Sequence, residues 1–122
     1  MDEQKRKLIS YFDEQIAACK RRTGLLIADD RMDEGNIEKV RANIYEIFKT
    51  VFSVAEKVCG EDDLAIKDFF LQKAEQIPLN WTNSYENAKK HGDVEKMHIE
   101  NVKLETIREI KDTFLQIWEE TV

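Results

Sequence analysis

Proline appears once in the 122 residues, at Pro78, and glycine only four times. Few breakers beside many Glu, Lys and Ala point to a mostly helical soluble protein, and no stretch alternates like a strand. Cysteine appears twice, as Cys19 and Cys59, both at apolar helical positions. They read as buried free thiols rather than a disulfide frame, because a single domain spanning residues 1–122 can bury a core without one. No apolar run approaches the roughly 18–20 residues of a membrane span. Met1-Asp2-Glu3-Gln4 has no apolar core, so no secretory signal is expected and the expected compartment is the cytoplasm. The Asn80-Trp81-Thr82 glycosylation pattern then carries no weight. Basic residues are outnumbered 19 to 25, for a net charge of −6. That balance argues against non-specific nucleic-acid binding and against an anionic membrane surface, both of which call for a basic face.

Catalytic sets are missing as well. There is no Gly-rich phosphate loop, and no Ser or Cys has a base placed by a recognisable pattern. No enzyme activity and no cofactor are expected. The only histidines are His91 and His98. Glu95-Lys96-Met97-His98 holds one Glu-x-x-His pair of the kind that ligates metal in di-iron bundles, which need two such pairs and two further Glu. At the comparable place in the central helix Arg41 follows Glu38. No metal site is assigned; Glu95 and His98 are its weak candidates. Asp29, Asp30, Asp33 and Glu34 lack the alternating ligand spacing of a calcium loop.

Helical periodicity is what the chain does have. Ile37, Val40, Ile44, Ile47, Val51, Val54 and Val58 recur at spacings of 3 and 4, and Tyr45, Phe48, Phe52, Ala55 and Cys59 form a second row. Together the rows cover roughly 180° of the cylinder, against about 100° for an ordinary surface helix. Such a helix is the centre of a bundle or part of an oligomer interface. Val51 is expected at the middle of its face.

Around it, residues 3–32 read as a first helix through Ile9, Phe12, Ile16, Cys19 and Leu26, loosened at Gly24 and stopped at Gly35. Asn36 should cap the central helix and Gly60 should stop it. Asp62-Asp63 caps a third helix carrying Ile66, Phe69, Phe70 and Ala74, which Pro78 ends or kinks. Leu79 to His91 is the weakest helical stretch, rich in Asn and Ser, and Gly92 stops it. Asp93 caps a last helix running to about Glu120, with Met97, Leu104, Ile107, Phe114 and Trp118 as its stripe. Ile110, Leu115 and Ile117 broaden that stripe, and Asn101 lies among the apolar positions, either buried or half exposed. Glu34 to Val40 parallels His91 to Met97 at an offset of 57 residues, so the chain reads as two helical hairpins.

The expected fold is therefore all-α: an antiparallel four-helix bundle of two hairpins, with an additional short or kinked helix around residues 79–91. The layout of two hairpins in a short acidic chain resembles that of flagellin-type export chaperones, a likeness of layout carried by no shared motif; it implies a bundle that clamps a partner's helices. The expected function is a non-enzymatic protein-interaction module, an adaptor, chaperone-like or regulatory bundle, with self-association as a homodimer expected. Trp81, Tyr85, Phe114 and Trp118 are the candidates for partner binding. The alternative is a small-molecule or metal-binding bundle with its site in the core near His98, Glu95 and Cys59.

Overall fold

The computed structural model describes residues 2–119. It contains α1 (Asp2–Ala28), α2 (Met32–Cys59), α3 (Asp63–Gln76), α4 (Pro78–Lys90) and α5 (Val94–Trp118). The end expected for the last helix at about Glu120 lies outside the described residues. The fold is the expected antiparallel helical bundle. Ile77 keeps helical dihedrals between α3 and α4, so these two form one rod kinked at Pro78, where proline has no N–H to continue the ladder. Five helices thus make four rods. Among the described residues no helix is long and apolar enough to cross a membrane.

The turns follow from local chemistry. Asp62 accepts from the Ala65 N–H at 3.1 Å, and Asp93 from the Lys96 N–H at 3.1 Å, so both expected caps form. Gly60 closes α2 at φ 63°. The first turn departs from expectation. The Arg31 N–H bonds the Leu26 carbonyl and the Asp30 N–H bonds that of Ile27, a Schellman motif with Asp30 in the left-handed position at φ 62°. Asp tolerates this conformation better than most residues. The stop is therefore Asp30, and Gly35 and Asn36 lie inside α2. A methyl group on Gly35 would approach Ile27 Cγ1 to 3.0 Å, so this glycine lets α1 and α2 come close.

The α4–α5 turn repeats the Schellman motif with Gly92 in the left-handed position. Structurally, then, Gly92 corresponds to Asp30 and not to Gly35. The offset of 57 residues does not align burial either, since it pairs the buried Phe12 with the half-buried Phe69, while Phe70 is the buried one. The chain is two hairpins without that register.

The rods pack as a rhombus. α1 meets α2 and α5, and α3 meets α2 and α5, but α1 meets neither α3 nor α4. The parallel helices α2 and α5 touch across the short diagonal, and each has neighbours on several sides. These are the two helices whose apolar faces are too wide for one stripe. The core lies between them: Phe12 from α1, Phe48 and Phe52 from α2, Phe70 from α3, and Ile110, Phe114 and Trp118 from α5, all buried. The Phe70 and Phe114 rings stack at 4.1 Å, and Phe52 meets Trp118 edge-on at 5.9 Å. Within α2 the second row is the core row. The first row gives Ile44 to the core and otherwise runs along the flank, with Val51 half-buried and Val54 and Val58 exposed.

Candidate functional site

α2 and α5 both start at the same end of the bundle. In their C-terminal halves aromatic side chains fill the space between them. In their N-terminal halves the facing residues are short: Ile37 and Val40 from α2, Val94 and Ile99 from α5. Aliphatic side chains of that size do not bridge the gap, and a groove of about 700 Å3 remains, open along one side. Ile37, Val40 and Ile99 are half-buried in it, and Val94 is 74% exposed. Asp33, Asn36, Glu95 and His98 form the polar rim.

The rim charge differs from that of the α1–α2 seam. Between α1 and α2 the carboxylates have partners: Glu38 with Arg22 at 3.1 Å, Glu46 with Lys20 at 3.3 Å, and Asp13 with Lys49. Asp33 and Glu95 have no ion-pair partner among the described residues, and no Lys or Arg lines the groove. Each sits in the first turn of its helix, where the dipole favours a carboxylate. That position explains why an acid is tolerated there but supplies only about half a positive charge per helix, so the rim stays net negative.

The residues singled out in the sequence are placed as follows. Glu95 and His98 come together, on the groove rim and exposed, and not in the core. Cys59 ends α2 at the opposite end of the bundle, so the trio does not converge. No group of three or more His, Cys, Asp or Glu side chains among the described residues is arranged to hold a metal ion. Phe114 and Trp118 are buried inside the chain and offer no surface to a partner, because the rhombic packing covers the C-terminal half of the α5 face. Trp81 is half-buried and meets Phe48 edge-on at 6.4 Å, with Lys103 Nζ 5.9 Å from its ring centre. It flanks the core. Tyr85 is half-buried beside it on α4, and Asn101 is exposed, bonded to Glu105 at 3.1 Å.

Two polar features went unread in the sequence. Glu100 is buried at 6% exposure; its Oε1 accepts from Lys103 Nζ at 3.2 Å, and its Oε2 is buried without a hydrogen-bond partner. It lies seven and fourteen residues before Ile107 and Phe114, so extending that row backwards would have found it. The second is a shared carboxylate. Tyr45 and Tyr11 both donate to Glu109 Oε1, at 3.2 and 3.5 Å, joining α1 and α2 to α5. Burial, with Glu109 as neighbour, pushes the Tyr11 hydroxyl up to about 12, and burial beside Tyr11 and Glu109 raises that of Tyr45 as well. Burial also raises the Cys19 thiol, helped by Glu38, which makes it an inert core residue.

No protein-family model, no curated protein and no solved structure matches the chain.

Proposed function

We propose that the chain is a non-enzymatic protein-interaction module of the cytoplasm, adaptor- or chaperone-like, whose docking face is the groove between the N-terminal halves of α2 and α5. One observation carries the reading: β-branched side chains are left open in a groove that the chain's own residues do not fill, with Val94 74% exposed. Contiguous exposed apolar surface with a polar rim is the usual mark of a partner site. A photo-crosslinking residue at Val94, in cells that make the protein, should form an adduct with a second protein, whereas the same residue at Arg21 on the exposed face of α1 should not. Equal adducts from both positions, or none from Val94, would remove the reading.

Pairing of the chain with itself is the second reading. Its support moves away from Phe114 and Trp118 to Val54, Val58 and Leu64, which are 40%, 67% and 74% exposed. The small-molecule or metal-binding alternative has its named residues split between opposite ends of the bundle, Glu95 and His98 on α5 and Cys59 on α2, and no observation favours it.

A further inference from the structure

We infer that the occupant of the α2–α5 groove is an amphipathic helix of another protein, one that presents two apolar anchors a turn apart, flanked by Lys or Arg. The inference rests on the groove's being the docking face and adds what fits there. Length comes first. From Asp33 to Val40 the α2 wall rises about 10 Å, close to two helical turns. That is room for side chains at i and i+4 of a crossing helix, which lie one turn apart on one face, the usual geometry of helix-in-groove recognition.

Charge decides the flanks. The floor is aliphatic, and the rim carries Asp33 and Glu95 with no counter-charge among the described residues. A helix with basic residues beside its anchors supplies the missing partners, while one with acidic residues meets two carboxylates at close range. Complementarity of this kind acts on specificity and on-rate more than on total affinity. The same charges argue against a second copy of this chain. A two-fold pairing of groove on groove would set acidic rim against acidic rim, and two concave surfaces cannot fill one another. A small ligand is disfavoured because the groove is open along one side, whereas small-molecule sites enclose most of their ligand.

The test uses the intact chain, labelled for NMR, and two Ala-rich helical peptides of roughly 18 residues, long enough to hold a helix. Both carry two Leu one turn apart; one has Lys at the flanks and the other Glu. The Lys peptide should shift the amide resonances of Val40, Val94 and Ile99 and bind roughly threefold to tenfold more tightly than the Glu peptide, the size expected of two exposed charge pairs. The preference should shrink as salt is raised and disappear in the double variant Asp33→Asn, Glu95→Gln. Both positions are exposed, so this variant keeps its fold, to be confirmed by its far-ultraviolet spectrum. Binding of neither peptide, or of both alike, overturns the inference. If Val94 still crosslinks to a second protein in cells, the docking reading survives that failure. An adduct at Val94 formed with a second copy of the chain overturns the inference as well.

Discussion

The indole of Trp118 donates a hydrogen bond to the backbone carbonyl of Asp63, 3.2 Å away, and so ties the end of α5 to the start of α3. The ring itself is 3% exposed, stacked on Phe114 at 5.5 Å and edge-on to Phe52. Trp118→Glu should therefore destabilise the fold by at least the roughly 3–5 kcal/mol typical of truncating a buried aromatic, because it adds a buried carboxylate to the lost packing. Urea unfolding measures it. A variant of unchanged stability but altered mass would instead put Trp118 at an interface between copies.

Mass in solution bears on the same question. With the wide faces of α2 and α5 spent across the short diagonal, we expect light scattering at micromolar concentration to give a single species near 14.4 kDa. A species of twice that mass would restore the two-fold pairing and direct attention to Val58 and Leu64.

The core row of α2 can be ranked by mutation. Phe52 is fully buried, and Phe52→Ala should cost about 3–5 kcal/mol. Val51, expected from sequence at the centre of the face, is only half-buried, and Val51→Asp should cost about 1–2 kcal/mol because the carboxylate can reach water. The reverse order in thermal melts would mean that α2 is rotated about its axis from the arrangement described.

Glycine substitutions separate helix propensity from backbone need. A methyl group at Gly24 meets nothing within 4 Å, so Gly24→Ala should stabilise α1 by about 0.5–1 kcal/mol. Gly92 has φ 69°, and Gly92→Ala should cost about 1–2 kcal/mol. Gly35→Ala should gain less than Gly24→Ala, since Ile27 must shift to admit it.

The tyrosine pair predicts the alkaline limb of stability. Burial pushes the Tyr11 hydroxyl up to about 12 in the folded chain, from its ordinary value of 10.0, and raises that of Tyr45 too. Between those pH values the unfolded chain gives up phenolic protons that the folded chain keeps, so it binds fewer protons and stability falls as pH rises. The contribution is complete below about pH 10 and is lost progressively towards 12. Tyrosinate absorbance should show late titration in the folded protein. Tyr45→Phe should flatten the fall in stability over this range; an unchanged alkaline limb would mean that the Glu109 cluster does not hold in solution.

Much of the fold was legible because helix signals are local. The Asp62 and Asp93 caps, the Gly60 and Gly92 stops and the kink at Pro78 each depend on a few neighbouring residues and on backbone sterics. At the first turn two stops compete. Gly35 looked like the better one, and only the close approach of Ile27 shows that it serves packing. Of the site, Glu95 and His98 were read as neighbours on one helix turn. Their meeting with Asp33 and Val40 spans two helices nearly sixty residues apart in the chain, and no local pattern encodes that.

Sequence alone determined that the chain is helical, where its helices start and stop at every turn but the first, and that α2 and α5 carry more apolar surface than a single stripe needs. Those are matters of periodicity and capping. Only the tertiary structure decided where that surplus goes. Four rods can pack as a square, which leaves diagonal helices apart, or as a rhombus, which brings one pair together. The difference lies in how the aromatic side chains of separate helices interlock. Here Phe52 on Trp118 closes the short diagonal at one end, with Phe70 of α3 stacked on Phe114 beside it, while Ile37, Val40, Val94 and Ile99 are too short to close it at the other. The groove is the volume left by that difference in side-chain reach.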